Sequence, residues 1–183
     1  MEPEKMLDET FEGMRAPSTL LLPLEAATYS RGLADAMESF MQSRKGDAVY
    51  LTFNKPAAAL ADIFKNLDHK NRLLFLDVIS THNGERASDM ENAFFVSFPG
   101  DLTGVMVALS RTLKMHPFRF LFLDSLSSLL IYNDERTATR FIHALSAMCK
   151  QYSVHMVLIS CGDIPDSFAG SISSLATAQL ALS

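Results

Sequence analysis

The chain has 183 residues, 48% apolar and 20% charged, the balance of an ordinary globular domain long enough for one sizeable core. A formal charge of −5 and a pI near 5.5 argue against nucleic acid as the natural partner, and no Lys/Arg run marks a basic patch. Two cysteines, Cys149 and Cys161, are too few for a disulfide framework or a metal cluster, and no apolar run reaches the roughly 18 residues of a membrane span.

Residues 1–17 are acidic and carry Leu7, Phe11 and Met14 at helical spacing. They read as an N-terminal arm, either a short helix docked on the domain or a partner-binding segment. They lack the basic start and apolar stretch of a signal peptide, so a cytoplasmic protein is expected. One domain is expected over residues 18–183, since no repeat or linker divides them.

Within that domain, Ser18–Leu22 reads as a first buried strand, and Pro23–Ser30 as the loop after it. A helix follows from about Ser30 to Ser43, with Leu33, Ala36, Met37, Phe40 and Met41 on one face. Ala48–Phe53 is the second strand. Asn54 or Lys55 is expected to cap the next helix, with Pro56 in its first turn and Leu60, Ile63, Phe64 and Leu67 as its buried stripe. Arg72–Ile79 is the third strand, residues 80–92 are a polar loop, and Phe94–Phe98 is a short extended piece. Asp101 caps a helix that buries Leu102, Val105, Met106, Leu109 and Leu113.

Residues 118–124, a nearly continuous apolar run ending in Asp124 and Ser125, read as a strand buried on both faces. In P-loop proteins such a strand delivers the Walker B aspartate to Mg²⁺. From about Asp134 to Tyr152 runs the clearest helix, with Ala138, Phe141, Ile142, Leu145, Met148, Cys149 and Tyr152 on one face and Arg136, Arg140, His143 and Lys150 on the other. Val154–Ser160 and Ala178–Leu182 complete the strands, with residues 162–174 a loop holding at most a turn of helix. Strands alternating with helices imply a mostly parallel sheet covered on both faces, and ligands in such sheets sit at the carboxyl ends of the strands.

Three stretches then carry a resemblance: Tyr50–Pro56, Ser97–Gly104 and Phe122–Asp134. With the order of elements, they make residues 18–183 resemble the KaiC-like branch of the RecA superfamily, of archaeal type. The resemblance implies a three-layer α/β/α fold of the P-loop NTPase type, with signalling or regulatory roles. An active member needs G-x-x-x-x-G-K-[ST] after the first strand, where glycine N–H groups wrap the phosphates and the lysine neutralises their oxygens. Ungapped placement puts Pro23 and Thr28 on the glycines, Tyr29 on the lysine and Ser30 on the Mg²⁺-binding hydroxyl, so only the hydroxyl survives. The glutamate that KaiC-like members place after the second strand as general base is replaced by Asn54-Lys55. Asp124 alone of the three requirements remains.

The expectation is therefore a non-catalytic, RecA-type regulatory or protein-interaction module, with no catalytic residue and no cofactor. Its vestigial nucleotide site would comprise Ser30, Lys55, Asp124 and Ser125, and Asp124 would ligate Mg²⁺ only if Mg-ATP binds. The partner would be another protein or a second copy of the chain, with neither membrane nor nucleic acid. The alternatives are a nucleotide-binding switch or weak ATPase using Ser30, Lys55 and Asp124, and a recombinase-paralogue-like DNA-binding subunit, which the acidic balance disfavours. The five histidines show no metal spacing, Cys161 has no partner histidine placed for nucleophilic catalysis, and Phe141-Ile142-His143-Ala144 matches the Phe-x-x-Ala that recombinases use to polymerise, but Phe141 lies on the buried stripe.

Overall fold

A computed structural model describes residues 17–43, 46–65, 72–84 and 90–179. The expectations for residues 1–16, Leu67 and the end of the last strand lie outside these. The strands are β1 (Thr19–Leu24), β2 (Ala48–Thr52), β3 (Leu73–Asp77), β4 (Ala93–Phe95), β5 (Phe120–Asp124), β6 (His155–Cys161) and β7 (Ala178–Gln179). They form one parallel sheet in the order β4-β3-β2-β5-β6-β1-β7. The helices are α1 (Tyr29–Ser43), α2 (Ala57–Ile63), α3 (Leu102–Met115), α4 (Leu126–Tyr132), α5 (Glu135–Tyr152) and α6 (Asp166–Ser173).

The strands' two-residue alternation divides the core into two layers. Leu20, Leu22, Tyr50, Phe120 and Phe122 face α1 and α2, packing on Leu33, Met37, Phe40 and Leu60. Leu21, Val49, Leu51, Leu121 and Leu123 face the other way, onto Val105 and Leu109 of α3 and Phe141, Ile142 and Leu145 of α5. This is the expected three-layer α/β/α sandwich. Because all strands are parallel, the ends of β1, β2, β3, β5 and β6 converge on one edge, which positions the candidate site.

Several local expectations are corrected. β1 runs to Leu24, two residues past the expected end, with Pro23 paired opposite Ser160 and Leu24 opposite Cys161. Pro23 is tolerated there because β7 pairs only with Leu20 and Leu21 among the described residues, leaving β1 an edge beyond them. A 3-10 turn over Ala26–Thr28 leads directly into α1, so only Glu25 separates strand from helical structure. Neither Asn54 nor Lys55 caps α2. Its N-cap is Pro56, and the first N–H, of Ala57, donates instead to Asp77 Oδ2 at 2.7 Å. Residues 126–132 form a helix not expected from the sequence, capped by Ser125, and residues 166–173 form two turns rather than at most one.

The Asp101 cap stands as read, and the structure adds caps at both ends of α5. Asp101 accepts from Gly104 N–H at 2.9 Å, and Asp134 accepts from Thr137 N–H at 2.9 Å. Ser153 ends α5 in the left-handed region, φ 57°, its N–H bonding Cys149 and Lys150 carbonyls. Among the described residues no helix is long and apolar enough to cross a membrane.

Candidate functional site at the carboxyl edge of the sheet

Three polar residues stand side by side at the carboxyl edge, because the register pairs Thr52 with Asp77 on one side and Asp124 on the other. All three are buried. Their surroundings differ, and the differences decide what each can do.

Asp77 is fully used. Its Oδ1 accepts from the N–H groups of Ile79 and Ser80, both at 2.9 Å, and its Oδ2 accepts from Ala57 N–H and the Ser80 hydroxyl, both at 2.7 Å. Four donors satisfy a buried carboxylate, and the bond to Ala57 pins the start of α2 to the end of β3. Thr52 shapes the loop after β2: its Oγ1 accepts from Asn54 and Lys55 N–H and donates to the Lys55 carbonyl at 2.7 Å. Phe53 N–H donates to the Asp124 carbonyl, so Asn54 and Lys55 are held over the end of β5.

Asp124 is different. It is 0% exposed and its Oδ2 accepts two phenol hydroxyls, that of Tyr29 from the first turn of α1 and that of Tyr50 from β2 at 2.8 Å. Its Oδ1 is buried and has no hydrogen-bond partner among the described residues. Burial raises the Asp124 pKa above the usual carboxylate value, opposed by the Tyr29 and Tyr50 hydroxyls, the nearby Asn54 side chain and the Lys55 charge. Burial, then the negative charge of Asp124, pushes both tyrosines upward, so each stays a protonated donor. Tyr50 is locked by neighbouring rings, edge-on to Phe64 at 5.5 Å and stacked on Phe122 at 6.0 Å. Lys55 places its Nζ 5.7 Å from the Tyr29 ring centroid, a cation–π distance.

Of the four residues singled out in the sequence, two meet around Tyr29: Asp124 through its carboxylate and Lys55 through its ammonium. Ser30 is exposed in the first turn of α1. Ser125 is buried and occupied as the cap of α4, its Oγ accepting from Ser128 N–H at 3.2 Å and bonding the Ser127 and Ser128 hydroxyls. Ser127 in turn donates to the Cys161 carbonyl at 2.7 Å, tying α4 to the end of β6. The half-buried Cys161 thiol is pushed up by burial and by the Asp124 charge, which leaves it a poor nucleophile.

Two participants were not legible as such. Tyr29 reads in sequence only as a missing lysine, and Tyr50 only as a strand residue. A signal for Tyr50 existed: with Thr52 beside Asp124, the residue two earlier on the same face lies diagonally within a long side chain's reach.

No protein-family model and no curated protein matches the sequence. Solved structures do match. An uncharacterized protein from Pyrococcus horikoshii, crystallised in complex with an unknown peptide, superposes with a TM-score of 0.70 at 15% identity, covering 94% of this chain and 80% of that one. A KaiC-like protein from Pyrococcus horikoshii OT3 superposes with a TM-score of 0.55 at 15% identity, covering 82% of this chain and 63% of that one. At this identity the likeness concerns the fold alone, a parallel sheet between helices that this chain shares with a KaiC-like protein.

Proposed function

We propose that this chain is a RecA-type domain that has given up nucleotide turnover and serves as a regulatory or protein-interaction module. The observation that carries the reading is the Tyr29 hydroxyl on Asp124 Oδ2. Tyr29 stands where the resemblance puts the phosphate-binding lysine, and it occupies an oxygen that a Walker B aspartate offers toward the metal. Pro23 and Leu24 belong to a strand instead of a phosphate loop, and Leu24 is in the core. Glu25, exposed at the same bend, adds negative charge where a triphosphate would need positive. These residues do not fit Mg-ATP, and Asn54-Lys55 supplies no general base. The peptide bound to the structurally similar Pyrococcus protein supports an interaction role for this fold.

A nucleotide-binding switch is the second reading. It is favoured by the unpartnered Asp124 Oδ1 and by Lys55 beside Tyr29, which together would face a ligand if the Tyr29 ring swung away. Titration with a fluorescent ATP analogue, with and without Mg²⁺, separates the two. The module reading expects no saturable binding below roughly 1 mM, a free energy near −4 kcal/mol. Saturable micromolar binding that needs Mg²⁺ and is lost in Asp124→Ala would establish the switch instead.

A further inference from the structure

We propose that the amino edge of the sheet, opposite the candidate site, is a docking surface for an acidic segment with apolar anchors, and that its occupant is the chain's own residues 1–16. The sign of this edge is built by the fold, not by a run of basic residues. From Leu102 to Leu123 the sequence holds no carboxylate, but carries Arg111, Lys114 and Arg119. From Arg136 to Gly162 it again holds none, and carries Arg136, Arg140 and Lys150. Helices α3 and α5 run against the strands, so Lys114 and Lys150 fall in their last turns, at the edge where Arg119 leads into β5. Arg111, Lys114, Arg119 and Lys150 are all exposed. The two lysines answer the negative ends of the helix dipoles, and the two arginines add charge beyond that. The carboxylate among them is Asp47, ahead of β2, and it is occupied: it accepts from Arg72 N–H at 2.7 Å and pairs with His116. Glu38 and Asp62 belong to α1 and α2, on the other face of the sheet. The linking residues 44–45 and 66–71 carry Arg44, Lys45 and Lys70 against Asp68. Met115, 75% exposed beside Lys114, gives the edge an apolar contact point.

Residues 1–16 match this surface in chemistry and are joined to it in sequence. They set Glu2, Glu4, Asp8, Glu9 and Glu12 against Lys5 and Arg15, with Leu7, Phe11 and Met14 at helical spacing. The register fixes their point of attachment: Met156 N–H donates to the Ser18 carbonyl and His155 N–H to the Arg119 carbonyl. Strands β1, β6 and β5 are neighbours, so the arm joins the domain two strands from Arg119, about 10 Å at ordinary strand spacing. A segment of this length reaches roughly 50 Å when extended and about 24 Å as a helix, so either form spans the patch. The tether raises the arm's local concentration to the millimolar range, so a contact too weak to hold a free peptide is populated within one chain. A basic edge beside an exposed methionine selects acidic residues flanking apolar ones and repels basic segments. The contact stands apart from Tyr29 and Asp124, which lie at the opposite end of the sheet.

The test is zero-length carbodiimide coupling of the full chain, which joins a carboxylate to an amine in direct contact. The expected products, read by mass spectrometry after proteolysis of the monomer band, join Asp8, Glu9 or Glu12 to Lys114 or Lys150, at a yield independent of protein concentration. Arg111→Glu keeps both lysines and should lower that yield at least about fivefold, the scale of a reversed surface charge. Arg111 is exposed, so circular dichroism of this variant should match the unsubstituted chain. In the uncoupled chain, Glu9→Lys with Glu12→Lys should shift the Met115 methyl resonance. Coupling of the arm only to other lysines, a yield indifferent to Arg111→Glu, or an unmoved Met115 methyl would overturn the assignment. Products confined to a dimer band that grows with concentration would overturn docking within one chain and give the edge to the arm of a second copy.

Discussion

Replacing Tyr29 with Phe removes one hydroxyl from a carboxylate that has no contact with solvent, and keeps the ring. Asp124 Oδ2 is then left with Tyr50 alone, while Oδ1 already lacks a partner. A hydrogen bond to a charged group contributes roughly 1.5–3 kcal/mol, so Tyr29→Phe should cost about that much at neutral pH. For a domain of this size each kcal/mol moves Tm by roughly 2–4 °C, which gives a fall of about 3–12 °C. The chain has no tryptophan, so urea unfolding is best followed by far-UV circular dichroism. The pH dependence carries a second signature. Burial holds the Asp124 pKa above 3.8 in the folded state, so the folded chain keeps a proton that the unfolded chain has released. Asp124's contribution therefore falls as pH rises from 3.8 through the raised value. Loss of the Tyr29 donor disfavours the charged form further, so the Tyr29→Phe penalty should shrink as pH is lowered and Asp124 is protonated. Asp124→Asn should remove this part of the slope. A Tyr29→Phe variant within about 0.5 kcal/mol of the parent, with an unchanged pH slope, would refute the reasoning.

Asp77→Ala strands four donors, three of them backbone N–H groups, and should cost at least about 3 kcal/mol in urea unfolding, with Asp77→Asn losing less. Gly104→Ala should fail to give the roughly 1 kcal/mol that Ala gains over Gly inside a helix, because its Cβ would lie 2.3 Å from the capping Asp101 Oδ2. Gly170→Ala, in α6 with open space around it, should show that gain, and comparison of the two urea midpoints checks the pair. The Cys149 thiol is pushed up to about 12 by burial, so at mildly alkaline pH alkylation read by mass spectrometry should label the half-buried Cys161 first. Faster labelling of Cys149 would mean that α5 opens more readily than its buried packing implies.

The layering of this fold was legible because apolar periodicity is a strong signal. Val49 and Tyr50, neighbours in sequence, fall into opposite core layers as alternation requires, and Phe141, Ile142 and Leu145 bury the face of α5 that the helical period selects. The ends of elements were less legible. β1 passes through Pro23 because pairing with β6 continues after β7 stops, a tertiary circumstance that no local pattern carries. The start of α2 is served by Asp77, twenty residues away in sequence, where the local pattern offers only Asn54 and Lys55. Helix α4 follows Ser125 and carries Leu126, Leu129 and Leu130 at helical spacing, but the apolar strand just before it masks the change of period. In the candidate site, the sequence shows directly that residues 23–30 do not spell G-x-x-x-x-G-K-[ST]. The Tyr29 contact was not legible, since a tyrosine hydroxyl reaching from α1 to β5 becomes visible only when the sheet brings the two together.

Tyr29 is expected to close the edge where a nucleotide would sit. A crystal structure determined with excess Mg²⁺ and a non-hydrolysable ATP analogue tests that most directly. The expected result is the Tyr29 hydroxyl on Asp124 Oδ2 beside Tyr50, with no nucleotide density at the carboxyl edge of β1 and β5. A Tyr29 ring swung outward, with phosphates seated by Ser30 and Lys55 and Mg²⁺ on Asp124, would contradict it.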